Sequence, residues 1–230
     1  MEGHPLVLGI DFGTSNSAAA VCSADGQVLP VPLEGANSAM PTALFFSSED
    51  GHVSYGSAAL QGYLQGTEGR LLRSIKSALG SPLMDEQTLI NGRLISLFDV
   101  VVMYFHELKR RSETFLGHPV QAAMLGRPVH FVDDDPGRDA LAQATLERAA
   151  RAAGFGSVAC QLEPIAAALD YERRVSTDTT VLVADIGGGT SDFTVVRTGP
   201  DRGGAGGRTA PATSWPPPAR TWAAPTSTSC

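Results

Sequence analysis

LGIDFGTSNSAAAVC, residues 8–22, sets an Asp, a Gly and a cluster of hydroxyl and amide side chains between two apolar runs. LVADIGGGTSDFTVV, residues 182–196, repeats the arrangement further along. In each, an apolar strand ends in Asp, a glycine-bearing turn and a hydroxyl residue follow, and a second apolar strand leaves. Glycine takes positive φ and lets a ligand come close, so successive N–H groups can point into one concavity and cradle a phosphate. An Asp at the strand end offers a hard oxygen to Mg2+ or its waters, and the Thr or Ser can donate to a phosphate oxygen. Neither stretch matches GxxxxGK(S/T) or GxGxxG, so P-loop and Rossmann readings are unsupported. Two plain β-hairpins with Gly-rich turns are the alternative, and the repetition weighs against it. Two cradles from duplicated halves would grip one nucleotide from opposite sides of a cleft.

Outward from the first stretch, Leu6–Asp11, Ala18–Cys22 and Val28–Pro32 read as a three-stranded meander, and SSEDG as the turn of a hairpin between Ala43–Phe46 and His52–Tyr55. Helices are expected to begin near Ser57 and near Gly69. In the second, Leu71, Leu72, Ile75 and Leu79 recur at helical intervals, Gly80 ends the run, and Lys76 falls near its end. Leu97–Phe115 is the longest amphipathic helix, with Lys109, Arg110 and Arg111 towards its C-terminus, where the dipole favours cations. After a strand near Val120–Leu125, Asp135 caps a helix that has Pro136 in its first turn and stops at Gly154. Asp133–Asp135 read as a solvated cap rather than a cation site. Val158–Leu162, EPIAAALDYE and Thr179–Asp185 read as strand, helix and strand, and the alternation predicts an α/β fold.

The sequence has 230 residues, 43% of them hydrophobic, and is long enough to bury a core. No apolar run approaches the roughly 18 to 20 residues a membrane span needs, and the N-terminus lacks a basic stretch and cleavage site, so a cytoplasmic location without membrane contact is expected. A net charge of −7 argues against nucleic acid as a partner. Cys22, Cys160 and Cys230 lie far apart without CxxC spacing; the first two read as buried thiols rather than as a zinc site or a disulfide framework.

GIDFGTSNS, LEPIAAALDYE and VADIGGGTSDFTVV, in that order, resemble the first phosphate, connecting and second phosphate segments of the actin-like ATPase superfamily. Within it they look most like the seventy-kilodalton heat-shock (DnaK-like) chaperone family. The resemblance covers about Leu6 to Thr198 and implies an α/β actin-like (ribonuclease H-like) lobe, a mixed sheet flanked by helices, with the start of a second lobe. It implies ATP and Mg2+ as ligands. Asp11 and Asp185 would orient metal-bound waters. Gly13, Thr14 and Ser15 would donate to the β- and γ-phosphates, as would Gly187, Gly188, Gly189 and Thr190 from the other lobe. Lys76 corresponds to a lysine that reaches the γ-phosphate and positions the attacking water; an ordinary solvated lysine is the alternative. Glu163 would accept from metal-bound water, against a simple capping role, and Pro128 resembles a proline that relays nucleotide state, with a plain strand-end proline as the equal alternative. Leu162 stands where the family usually has Asn, and an adenosine-binding segment is not among the motifs found. The expectation is therefore a partial nucleotide-binding domain over residues 1–197 of an ATP-hydrolysing chaperone, with ATP/ADP, unfolded clients and co-chaperones as partners. A small-molecule kinase of the same superfamily and a non-catalytic interaction module are the rivals.

Residues 198–230 contain no Val, Ile, Leu, Met, Phe or Tyr, and read as a disordered Gly/Ala/Pro/Thr-rich tail. Shifted by one base, codons for TWAAPTST permit Val-Gly-Gly-Thr-Asp-Phe-Asp, which resembles a family segment beyond the second phosphate motif. The tail is thus expected to be family sequence read in a shifted frame, with a true disordered tail as the alternative.

Overall fold

A computed structural model describes residues 6–22, 27–187 and 191–199, and for Ser191 the backbone alone. The elements in chain order are β1 (Val7–Phe12), β2 (Asn16–Cys22), β3 (Val28–Pro30), β4 (Ala39–Pro41), β5 (Ala43–Ser47), β6 (Val53–Tyr55), α1 (Ser57–Leu64) and β7 (Gly69–Arg73). Two 3-10 turns follow, Ile75–Ala78 and Pro82–Met84, then β8 (Gln87–Ile90), β9 (Arg93–Ser96), α2 (Leu97–Leu116), β10 (Ala122–Arg127) and α3 (Pro136–Ala152). The chain continues through β11 (Ser157–Leu162), α4 (Glu163–Glu172), β12 (Thr179–Ile186) and β13 (Ser191–Thr198). It divides into two compact units, residues 1–161 and 162–230. The tail beyond Gly199 lies outside the described residues, as do Gly188, Gly189 and Thr190.

In the first unit the main sheet runs β11–β10–β1–β2–β3, with β4 beside β2. β1 pairs parallel with β10 and antiparallel with β2, so the sheet is mixed, as expected. Along β1, Leu8, Ile10 and Phe12 are buried at alternate positions, the period of a strand. Phe12 packs on Phe105 and Tyr104 of α2, with ring centroids 5.1 and 5.9 Å away. α2 starts from a capping box, in which Ser96 accepts from the Asp99 amide and Asp99 accepts from the Ser96 amide, and it ends at Gly117, whose φ is 74°. Its core face is Val100, Val101, Tyr104, Phe105 and Leu108, while Phe115 is exposed. Lys109, Arg110 and Arg111 bond to glutamates one turn away on the same helix, Lys109 to Glu113 and both arginines to Glu107. α3 is capped by Asp135, which accepts from the Arg138 amide, with Pro136 in its first turn.

β5 is buried along its whole length: Leu44 and Phe46 join the main core, Ala43 and Phe45 a second cluster with Ala59 of α1. That two-sided burial explains its unbroken apolar run. β5 pairs with β6, as the SSEDG turn predicts, and also with β7.

β7 is a correction. The segment from Gly69 is a strand followed by a 3-10 turn, not the helix its leucine spacing predicts. A Cβ at Gly69 would lie 2.3 Å from the Phe46 carbonyl oxygen, so the chain runs flush against β5, and pairing across the sheet overrides local periodicity. The β8–β9 hairpin was not anticipated, although its tip, Asn91-Gly92, carries the positive φ angles (49° and 75°) that favour Asn-Gly in tight hairpins. Cys22 is exposed, against expectation, because it ends β2 with its side chain on the face away from the core; Cys160 is half-buried.

In the second unit, α4 packs on the antiparallel pair β12–β13. Thr194 and Thr198 are buried, whereas Leu182, Ile186, Phe193 and Val195 on the other face are exposed.

Candidate functional site

The strands of the two quoted stretches pair in the same register. Asp11 pairs with Ala18 and Phe12 with Ser17; Asp185 pairs with Asp192 and Ile186 with Ser191. In both, the Asp stands opposite the residue seven places on and four residues lie between the last pair, Gly13–Asn16 in one and Gly187–Thr190 in the other.

In the first hairpin Gly13 has a steric reason. A Cβ there would come within 2.2 Å of the Asn16 carbonyl oxygen, so the turn closes only because the side chain is absent. Asp11 and Ser15 are exposed, and Gly13 and Thr14 partly so, which leaves the turn open to a ligand. Beneath it lies a buried, hydrogen-bonded frame. The Thr42 amide donates to the Ser15 carbonyl (2.9 Å), the Ser17 and Thr42 hydroxyls share a buried hydrogen bond (2.8 Å), and Tyr104 Oη donates to the Pro41 carbonyl (3.0 Å). Burial pushes the Tyr104 hydroxyl up to about 12, so it stays a neutral donor. Thr42 and Tyr104 lie outside the quoted stretches, and only the fold brings them beneath the turn.

The same frame leads to Lys76. Thr42, bonded to Ser15, precedes Ala43, whose partner across the β5–β7 pairing is Arg73. Three residues on, Lys76 sits half-exposed in the 3-10 turn, between the buried anchors Ile75 and Leu79. Ser74 makes the corner with a left-handed backbone, φ 58°. Pro128 follows β10 directly; β10 leaves the sheet beside the end of β1, since Leu125 pairs with Ile10.

The second unit holds Glu163, Asp185 and Gly187. Glu163 is the first residue of α4, half-buried, with Pro164 buried behind it. The residue at the N-cap itself is Leu162, without a side-chain cap. A carboxylate in the first turn suits the helix dipole. Asp185 is exposed, and its partner Asp192 was not singled out from the sequence, although their register places two carboxylates directly opposite on the face that also carries Val183 and Thr194. Like charges opposite each other destabilise a pair of strands, and a cation relieves that cost.

Among the described residues, no group of three or more His, Cys, Asp or Glu side chains is placed to hold a metal ion by itself. One or two carboxylates, with substrate phosphate and water completing the shell, is the arrangement Mg2+ favours, so the donor set fits. No helix among the described residues is long and apolar enough to cross a membrane. Asp135 serves as the α3 cap, in keeping with the reading of Asp133–Asp135. Cys160 Sγ donates to Glu147 Oε1 at 3.6 Å, and burial together with that carboxylate pushes its thiol up to about 11, away from nucleophilic use.

The chain is similar to the chaperone protein DnaK of Methanothermobacter thermautotrophicus, 31% identical over 203 residues, which is 86% of this chain and 32% of that one. Likewise it is 32% identical over 197 residues to the DnaK of Endomicrobium trichonymphae and 33% over 195 residues to that of Thermosipho melanesiensis, each match covering 84% of this chain and 30% of the relative. It thus spans about a third of the length of the curated relatives it matches. Residues 7–203 match the Hsp70 protein family, a stretch that begins with β1 and takes in both Asp-Gly hairpins, and the chain belongs to that family.

Proposed function

We propose that this chain holds the phosphates of ATP with Mg2+, as the phosphate-gripping part of an ATP-hydrolysing chaperone of the Hsp70 type. The observation that carries the reading is the shared register of the two Asp-Gly hairpins. In this reading the amides of Gly13, Thr14 and Ser15 receive the β- and γ-phosphate oxygens, and Gly187, Gly188, Gly189 and Thr190 do so from the second unit. Asp11 and Asp185, with Asp192 as a further candidate, accept from metal-bound waters. Bound Mg2+ would supply charge neutralisation on the phosphate oxygens. Lys76 brings positive charge to the γ-phosphate and orients the attacking water, Glu163 holds a second water by accepting its proton in a hydrogen bond, and Pro128 relays nucleotide state along β10. Little covalent chemistry is asked of the protein; positioning and charge stabilisation carry the rate.

The same reading covers clients and co-chaperones as partners, a cytoplasmic location, and residues 1–197 as a partial nucleotide-binding domain. The family match ending at residue 203 supports treating the tail as foreign to the fold, and the gene's nucleotides after the Asp201 codon, read in the alternative frame, test it. Absence there of a Gly-Gly-x-Asp-Phe/Leu-Asp segment in a continuing open frame would end that idea. For the grip itself the test is calorimetry of ATP on the purified chain with and without Mg2+. Weak, Mg2+-dependent binding is expected, with thermal stabilisation of about 2.7 kcal/mol at a hundredfold excess over Kd. A heat signal and a melting temperature both indifferent to millimolar Mg-ATP would refute the reading and favour a non-catalytic interaction module.

A further inference from the structure

Arg127 is the last residue of β10, and its side chain is only 14% exposed. A guanidinium buried at the end of an internal strand is costly unless every donor is used. Here each nitrogen is engaged. Nε donates to the Pro128 carbonyl (2.9 Å), Nη2 to the Val129 carbonyl (2.9 Å) and to Asp139 Oδ2 (2.9 Å), and Nη1 to Gln143 Oε1 (2.5 Å). The guanidinium Cζ lies 5.2 Å from the centre of the Phe131 ring, and Asp139 Oδ1 accepts from the Phe131 amide at 2.6 Å. One side chain therefore fastens the loop after β10 to the first turns of α3.

The same turn of α3 also carries Arg138, whose Nε donates to the Gly80 carbonyl at 3.1 Å. Gly80, at φ 74°, lies so close that a Cβ on it would meet the Arg138 carbonyl oxygen at 2.5 Å and the Ala142 Cβ at 3.1 Å. Just before it, the Leu79 amide donates to the Lys76 carbonyl at 3.1 Å. The 3-10 turn bearing Lys76 is thus anchored, through Gly80, on the piece of α3 that Arg127 holds.

We propose that Arg127 is a positioning residue for Lys76: by fixing the first turn of α3 through Asp139 and Gln143, it sets the point at which Gly80, and with it the Lys76 turn, is seated. The functional weight of this rests on the reading of Lys76 given above; the mechanical coupling does not.

The test uses the whole 230-residue chain labelled with 15N, comparing wild type with Arg127→Met, Arg127→Lys, Asp139→Asn and Arg151→Met. Arg151 bonds to Glu147 further along α3 and serves as the control. In Arg127→Met the amide resonances of Lys76, Leu79 and Gly80 should shift, and their hydrogen exchange should quicken on the order of tenfold, while those of β5 and β6 stay in place. Arg127→Lys should keep the melting temperature near wild type without restoring those resonances, since an ammonium lacks the planar fork. Should Arg127→Met fail to fold, Arg127→Lys and Asp139→Asn carry the same comparison. Perturbation confined to residues 127–143, or an equal shift at Lys76 in Arg151→Met, would overturn the proposal. Adding Mg-ATP separates the two ideas. A wild-type chain without any response at Gly13–Ser15 sinks the function proposed above and leaves the coupling to be decided by the spectra. A wild-type response at Lys76 that is lost in Arg127→Lys, with Kd changed less than threefold, supports both.

Discussion

The two Asp-Gly hairpins share a register and a motif, yet their surroundings differ. In the first, β1 lies between β2 and β10, α2 packs on it, and Leu8, Ile10 and Phe12 are all at most 2% exposed. The second is a two-stranded pair with one helix on one face; Leu182 and Ile186 are 62% and 73% exposed. Similar local instructions therefore produced one hairpin welded into a core and one that, among the described residues, rests on a single helix. A motif specifies a turn and a register, but the stabilisation of its strands comes from what is stacked on them.

The largest expected contrast is between aromatic truncations at the two hairpins. Phe12→Ala should cost about 4 kcal/mol, since it removes a fully buried ring packed on Phe105 and Tyr104. Phe193→Ala, at a position 47% exposed, should stay within about 0.5 kcal/mol. Urea denaturation followed by near- and far-UV signals checks both, and comparable losses would break the contrast.

Next, Gly13→Ala should destabilise by about 2 kcal/mol, because its Cβ meets the Asn16 backbone oxygen rather than a movable side chain. It should also abolish any Mg-ATP-dependent rise in melting temperature. Retention of both properties would show that the turn can rearrange.

Ser17→Ala, which leaves the buried Thr42 hydroxyl without this bond, should cost about 1 to 2 kcal/mol. A chain with both Ser17→Ala and Thr42→Val should recover part of that loss, and a double-mutant cycle on melting temperatures measures the coupling.

The first unit also carries an expected acid response. Burial alone would raise the Asp139 carboxyl, but the Arg127 guanidinium and the Phe131 amide outweigh it and hold the group below its usual value. Glu107 behaves likewise, desolvation being outweighed by Arg110 and Arg111. A carboxylate whose folded pKa is depressed contributes stability that is present above its unfolded value, near 4, and is lost as pH falls through the folded one. The first unit should therefore weaken steadily below about pH 4, and Asp139→Asn should flatten part of that slope. A small effect is also expected at Arg197–Asp178 in the second unit, 3.5 Å apart and exposed, where Asp178→Asn should change stability by less than about 1 kcal/mol.

Several features were legible because the chemistry that makes them is local. Asp135 and Pro136 announce the start of α3, the Leu97–Phe115 periodicity gives α2 to within a residue at its far end, and the paired Asp-Gly stretches identify both hairpins. Asp192 is equally local, three residues past the glycine run's end at Gly189, yet it is recognisable as Asp185's partner only once the register is known. Asn91-Gly92 is a turn signal of the same local kind.

What the sequence by itself determined is the set of turns, caps and strand ends, including the Asp, Gly and hydroxyl residues of the candidate grip, because each depends on the φ/ψ limits and hydrogen bonds of a few neighbouring residues. Only the tertiary structure decided that Gly69–Arg73 is a strand, that Cys22 faces outward, that Arg127 is buried, and that Lys76 rides on a 3-10 turn seated against α3. Those outcomes depend on partners far along the chain: β5 for Gly69–Arg73, and Asp139 and Gln143 for Arg127. Periodicity within a window of ten residues carries no information about such partners, and where pairing or burial is worth more than local preference, the partner wins.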